Sequence, residues 1–151
     1  MITGKTGTDF INLGEAKNFL KVSNSVDDAL ITQLISASIE KVEMYLGIDF
    51  VEKSFSEIYY SYKFTLTHQP VTNIDSVDRD YTVTGIGEKE VTVQDVTDGV
   101  SIQYTCSSSY IPEIVKSSVL QQIAIWYEDR GVGSLDSNIK KDLSGYRKIV
   151  I

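Results

Sequence analysis

Ile58-Tyr59-Tyr60-Ser61-Tyr62-Lys63-Phe64-Thr65-Leu66-Thr67 sets Ile58, Tyr60, Tyr62, Phe64 and Leu66 at alternate positions, with Tyr59, Ser61, Lys63, Thr65 and Thr67 between them. A period of two marks a strand with one apolar face, so this stretch predicts a long strand. Gln69-Pro70 ends it, since proline cannot donate to a ladder. Val71, Ile74 and Val77 follow, then a turn at Asp78-Arg79-Asp80 and a short strand at Tyr81 to Val83. Gly85 to Lys89 reads as a loop. Val91 to Val96 and Val100 to Thr105 flank Thr97-Asp98-Gly99, and Asp-Gly suits the positive φ angles of a tight hairpin turn. Residues 52–105 are therefore expected to be mostly antiparallel β. Tyr59 and Tyr60 are consecutive and must point to opposite faces, so one ring lies outward or against a partner.

On both sides of this block the period becomes helical. Asn12 and Glu15 have the spacing of a capping box, and Leu13, Ala16, Phe19 and Leu20 follow at helical intervals. A second helix has Asp27 or Ser25 as its cap and Gly47 past its last turn. Its apolar residues, Leu30, Ile31, Leu34, Ile35, Ile39, Val42, Tyr45 and Leu46, cover nearly half the circumference. That width has two explanations: deep burial inside the chain, or partial cover by another subunit. Ile111-Pro112 starts a third helix, apolar on almost every side through Trp126 and Tyr127, which is expected at the centre of the structure. Gly131-Val132-Gly133-Ser134 reads as a hinge before a short amphipathic segment carrying Ile139, Leu143 and Tyr146.

The expected fold is α+β and mainly helical. It is a small helical bundle of two N-terminal helices, a long buried third helix and a short C-terminal helix, with an antiparallel β-hairpin or sheet segment inserted in the middle. One domain covers 1–151: a flexible arm at 1–9, helices over 12–47, the β-rich insertion at 52–105, the core helix at 111–130 and an amphipathic tail at 135–151.

The chain has 151 residues, 14 Lys plus Arg against 21 Asp plus Glu, and a net charge of −7. Such a surface repels phosphate, which argues against a broad nucleic-acid grip. The tail is locally positive, with Lys140, Lys141, Arg147 and Lys148 against Asp136 and Asp142. The N-terminus has no apolar core of a secretory signal, and no apolar run approaches the ~20 residues of a membrane helix.

Chemistry-bearing residues are sparse. Gly4-Lys5-Thr6 and Gly85-Ile86-Gly87 are fragments of phosphate-binding patterns without the glycines, strand or helix that such loops need. Asp75, Asp78 and Asp80 form an acidic cluster lacking calcium-loop spacing, so turn aspartates are the plainer reading and a small cation- or ligand-binding module the alternative. His68 is the only histidine and Cys106 the only cysteine; a thiol nucleophile would need the one to serve the other.

The order of elements resembles the small head–tail connector (head-completion, adaptor) family of tailed bacteriophages and prophages. Three stretches carry the resemblance. The first runs from Leu13-Gly14-Glu15-Ala16-Lys17-Asn18-Phe19-Leu20-Lys21-Val22 through Asp27-Asp28-Ala29-Leu30-Ile31 to Val42-Glu43-Met44-Tyr45-Leu46-Gly47. The second is Leu66 to Val71 with Ile74-Asp75-Ser76-Val77, and the third is Ile102-Gln103-Tyr104-Thr105, the Ile111-Pro112 helix start and Trp126-Tyr127-Glu128-Asp129-Arg130-Gly131. Cys106-Ser107-Ser108-Ser109-Tyr110 stands where the family usually has a small glycine-containing turn.

The resemblance implies a structural protein that forms a ring, a dodecamer, alone or only on the portal. The ring extends the DNA channel without sequence-specific binding and offers a docking surface to a tail-side stopper or completion protein. It sits at the head–tail junction of the virion and in the host cytoplasm during assembly, with no membrane partner, catalytic residue, metal or cofactor. Ile31, Ile35, Ile39, Tyr59, Tyr60 and Tyr62 are the candidate subunit interface. Ile139, Lys140, Leu143, Tyr146, Arg147 and Ile149 are the candidate portal-docking tail. Beside this reading stand the acidic binding module at Asp75, Asp78 and Asp80, and a cysteine-dependent enzyme using Cys106 with His68.

Overall fold

Residues 2–85, 88–108 and 110–147 are described by a computed structural model. The chain divides into two compact units, Met1–Thr8 with Ile48–Ser109 and Asp9–Gly47 with Tyr110–Ile151.

The second unit is helical. In α1 (Leu13–Leu20) the Asn12 side chain accepts the Glu15 N–H at 2.8 Å, the expected cap. Helix α2 (Asp28–Leu46) ends at Gly47, whose φ of 71° turns the chain left-handed while its N–H bonds Glu43 O. It packs against α3 (Glu113–Asp129), which α1 and α4 (Ser137–Leu143) also contact. Asp136 caps α4 by accepting from Asn138 N and Ile139 N. A 3-10 turn, Ser144–Tyr146, follows.

The width of the apolar face on α2 resolves toward burial inside one chain. Ile31, Ile35 and Ile39 are 0%, 3% and 1% exposed in a single copy, so none of the three offers surface to a neighbouring subunit. Helix α3 is less uniform than expected. Val115, Val119, Ile123 and Trp126 are buried together with the polar Ser118 and Gln122, while Ile125 stays exposed. A helix apolar all round is here a helix with one wet stripe.

The first unit is built from two antiparallel sheets. One has the order β1 (Ile2–Lys5), β2 (Lys53–Tyr59), β7 (Val100–Cys106), β4 (Val71–Val77); the other has β3 (Lys63–Thr65), β6 (Glu90–Val93), β5 (Tyr81–Thr84). Phe55 of β2 and Val100, Ile102, Tyr104 and Cys106 of β7 share one core with Phe64, Val91 and Val93 of β3 and β6. This is a small sandwich with its own core, so the chain is α+β without being mainly helical, and a helical bundle describes only one of its two units.

Three expectations change here. Ile2–Lys5 is no free arm but an edge strand, paired with β2 at Ile2↔Phe55 and Lys5↔Lys53. The long strand at 58–67 breaks. Ser61 Oγ donates to Lys63 O and accepts from Lys63 N, a local turn that competes with the ladder. As a result β2 and β3 belong to different sheets. The Asp98-Gly99 turn forms, with φ of 61° and 81° and Gly99 N bonded to Val96 O, but β6 and β7 also go to different sheets, so it is a corner and not a hairpin.

Candidate functional site

The break at Tyr60–Tyr62 and the corner at Val96–Gly99 make a tip on the sandwich. A Cβ on Gly99 would stand 2.7 Å from Ile58 Cγ2 and 2.8 Å from Tyr60 Cε1, so this residue must be glycine for its contacts as well as its φ. Asp95 Oδ1 accepts from Thr97 N at 2.8 Å and Thr97 Oγ1 at 2.6 Å. Arg79 reaches across from the β4–β5 turn. Its Nη1 donates to Asp95 O (2.8 Å) and Thr97 O (3.2 Å), its Nη2 to Gly99 O, and its head forks onto both oxygens of Asp78. The Arg79 guanidinium in turn holds the Asp78 carboxyl below its ordinary value.

This clamp decides the fate of the acidic cluster. Asp78 is taken by Arg79, and Asp75 accepts from Asn73 Nδ2 (2.6 Å) and Thr105 Oγ1 (2.8 Å). The Arg79 guanidinium is the cation that Asp78 holds, and among the described residues no three His, Cys, Asp or Glu side chains converge to hold a metal ion. Replacing Arg79 with alanine should free the 95–99 carbonyls, lower the Tm and speed hydrogen exchange at the Gly99 amide. An unchanged exchange rate would show that the corner holds without the clamp.

The second concentration of polar groups lies beside β7. Tyr104 is 0% exposed, and its hydroxyl donates to Glu57 Oε2 (2.8 Å) while accepting the His68 N–H (3.2 Å). Tyr59 Oη also donates to Glu57 Oε2. The His68 ring stacks on Phe55 with centroids 3.7 Å apart, with Nδ1 3.6 Å from Asp49 Oδ2 and Nε2 3.5 Å from Glu57 Oε1. Cys106 is fully buried, and its thiol donates to the backbone oxygen of His68 at 3.3 Å. Burial, helped by the charges of Asp49 and Glu57, pushes that thiol up to about 12. A nucleophile must be a thiolate, so the pairing of Cys106 with His68 is structural and the cysteine-enzyme reading falls.

Asp49 shows how the pocket balances its charges. Burial alone would raise its pKa, but the hydrogen bond with His68 and the Lys53 ammonium 3.2 Å away outweigh it and hold the carboxyl below its ordinary 3.8. A depressed folded pKa contributes stability that is complete above the unfolded value and is lost as pH falls through the folded one. Lys53→Met should therefore move the acid-unfolding limb to higher pH in urea melts run between about pH 2 and 5. A limb that stays in place would refute the balance.

In the helical unit, Asp27 stands at the start of α2 without capping it. Its carboxylate accepts Tyr127 Oη (2.6 Å) and both Arg130 Nη atoms (2.8 and 2.9 Å), and these partners hold it at about 2. Of the expected docking tail, Ile139 and Leu143 are 2% and 0% exposed and belong to the core, whereas Lys140, Tyr146 and Arg147 are exposed. The Arg147 guanidinium lies 4.9 Å over the Tyr45 ring, and Tyr45 Oη donates to Lys140 O. Ile149 lies outside the described residues. Of the tyrosines assigned to an interface, Tyr60 and Tyr62 are exposed and Tyr59 is half-buried, stacked on Phe64 at 4.1 Å.

Sequence reasoning missed Arg79, Glu57, Asp49 and Gln122. Arg79 sat between two aspartates and read as part of a turn, and nothing in its neighbourhood reveals a reach to residues 16 to 20 positions away. No described helix is long and apolar enough to cross a membrane.

No curated protein matches the sequence. Among solved structures, the fold is similar to a chain in the neck of an empty gene transfer agent particle computed with C6 symmetry, with a TM-score of 0.78 at 16% identity over 100% of this chain and 97% of that one. A chain of the native gene transfer agent virion gives 0.74 at 16% identity (99% and 94% covered). One from the native neck computed with C12 symmetry gives 0.70 at 15% (100% and 97%). The family model described as phage gp6-like head-tail connector protein matches residues 10–149, and the chain belongs to that family.

Proposed function

We propose that this protein is a ring-forming connector at the neck of a virion, where identical copies surround the DNA path between portal and tail. The observation that carries the reading is the extent of the likeness: a family match over residues 10–149 and a fold shared end to end with chains from necks of sixfold and twelvefold symmetry. A closed ring is built from heterologous contacts, in which one surface of each copy meets a different surface of the next. The net charge of −7 suits a bore through which DNA slides, since fixed positive contacts would hold phosphates in place.

Within this reading the exposed tyrosines of the tip, Tyr60 and Tyr62 with Tyr59 behind them, form the contact between subunits. The positive C-terminal segment with Lys140, Tyr146, Arg147 and Ile149 docks on the portal, and the opposite side of the ring receives the tail-side component. Ile139 and Leu143 anchor α4 to the chain's own core and so hold the docking segment in place. Deleting residues 144–151 spares both anchors. Heads assembled with the truncated chain are expected to lack tails under electron microscopy while the chain keeps its helical circular dichroism. Normal tailing would remove the docking role of this segment.

A further inference from the structure

Within the helical unit, Tyr45 of α2 holds the C-terminal segment at two points. Its hydroxyl donates to Lys140 O at 3.0 Å, and the Arg147 guanidinium lies 4.9 Å over its ring. A ring beneath a guanidinium holds the cation in place without neutralising it. Lys41 precedes Tyr45 by four residues and stands about 40° from it around α2, on the same face. Lys41, Lys140, Lys141 and Arg147 are all exposed. Among the described residues none of the four forms an ion pair, although the chain has 21 Asp and Glu for 14 Lys and Arg and pairs Lys17, Lys53, Lys63, Arg79, Lys116 and Arg130 with acids. The acids of the same elements are turned away or occupied. Glu40 lies about 140° from Tyr45 around α2, and Asp142 flanks the buried Ile139 and Leu143 of α4 on the side opposite Lys140. Glu43 is buried, Asp136 caps α4, and Asp129, which lines the same hollow as Lys140, does not pair with it.

We propose that this cationic patch, ordered by Tyr45, binds a carboxylate-bearing protein surface, the one that the portal presents to the C-terminal segment. The inference rests on the docking role of that segment and adds Lys41, Lys141 and the chemistry of the receiving surface. Opposite charges across a contact speed encounter and fix its register. Arg147 meets a carboxylate with two parallel N–H donors, and the three lysines act as point charges around it. A nucleic acid fits the patch less well. Duplex DNA carries one charge about every 1.7 Å, so its line of phosphates runs past the four cations onto Glu40 and Asp142, and the chain as a whole, at net charge −7, repels it. Separate carboxylates on a protein meet the cations without meeting those two acids. Because Tyr45 holds Arg147 and α4 before docking, less side-chain freedom is lost on binding.

The test measures binding of the full-length chain to purified portal. The Kd is expected to rise about tenfold between about 50 and 300 mM salt, because exposed charge pairs are screened. Lys141→Glu with Arg147→Glu should weaken binding by about tenfold or more at low salt, with the Tm and helical circular dichroism unchanged. Lys21→Glu alters the net charge of the same unit as much as Arg147→Glu does, at an exposed site outside the patch, and should leave binding as it was. Equal losses from these two single variants would make net charge the cause and overturn the inference. Tighter binding to a short DNA duplex than to portal would assign the patch to phosphates and also overturn it. Binding that ignores salt and both reversals, yet is lost on deletion of residues 144–151, would overturn the patch and spare the docking of the segment. Binding that survives the deletion, or no binding to portal at all, would overturn both.

Discussion

Replacing Ile31 with alanine is expected to cost the chain about 2–5 kcal/mol, with a loss that does not depend on protein concentration. Ile31 is 0% exposed on α2, in line with the equally buried Leu34 and Ile35 one turn on, and α2 packs against α3. Truncation removes three carbons from a close-packed interior that collapses only in part, so the transfer loss and the cavity add. At this chain length, each 1 kcal/mol lowers the Tm by about 2–4 °C. The independence from concentration is the discriminating part. A residue at a subunit contact weakens association, so its apparent stability falls on dilution, whereas a residue in the core of one chain loses the same free energy at any concentration. Melts at two concentrations a hundredfold apart should therefore superimpose for Ile31→Ala. A dilution-dependent loss would return α2 to the interface.

The same residue shows where sequence legibility ends. The apolar width of α2 was plain in the sequence, but a side chain buried by its own chain and one buried by a partner have the same chemistry, and only the packing separates them. Signals that act within a few residues read true: the Asn12 cap, the Gly47 stop, and the Asp98-Gly99 turn with its positive φ angles. What could not be read was the destination of strands. Alternation at 58–67 crosses the turn at Ser61 without a change of period, so nothing local shows that the chain leaves one sheet for the other. The edge strand Ile2–Lys5 is a four-residue run, Ile-Thr-Gly-Lys, too short to show a period, and it takes its structure from β2, across about fifty positions of chain. The candidate site divides in the same way. Exposed Tyr60 and Tyr62 were legible as apolar excess, whereas the Arg79 clamp and the hydrogen bond from Asp136 N to the Gln122 side chain exist only through contacts between segments apart in the sequence.

Tyr104→Ala is expected to destabilise the sandwich by about 3–5 kcal/mol, and Tyr104→Phe by about 1–3 kcal/mol. Strand β7 lies between β2 and β4, and Tyr104 pairs with Phe55 on one side and Ile74 on the other. Its ring stacks on Phe55 with centroids 5.6 Å apart, and burial raises its pKa so that the hydroxyl remains a neutral donor to Glu57. Alanine removes the ring and opens a cavity at the centre of the core. Phenylalanine keeps the ring but leaves the His68 N–H without its acceptor and Glu57 without one of its donors, and unpaired groups of this kind carry their full desolvation cost. Urea unfolding followed by circular dichroism, with hydrogen exchange at the amides of β2 and β7, measures both variants. If phenylalanine cost as little as a surface change, the polar cluster around Glu57 would be relaxed enough for water to replace the hydroxyl. The consequence reaches the tip, because β2 runs from Phe55 directly into Ile58 and Tyr60. A sandwich loosened at Tyr104 holds those side chains less firmly, so under the proposed ring reading Tyr104→Phe should also raise the concentration needed for ring formation.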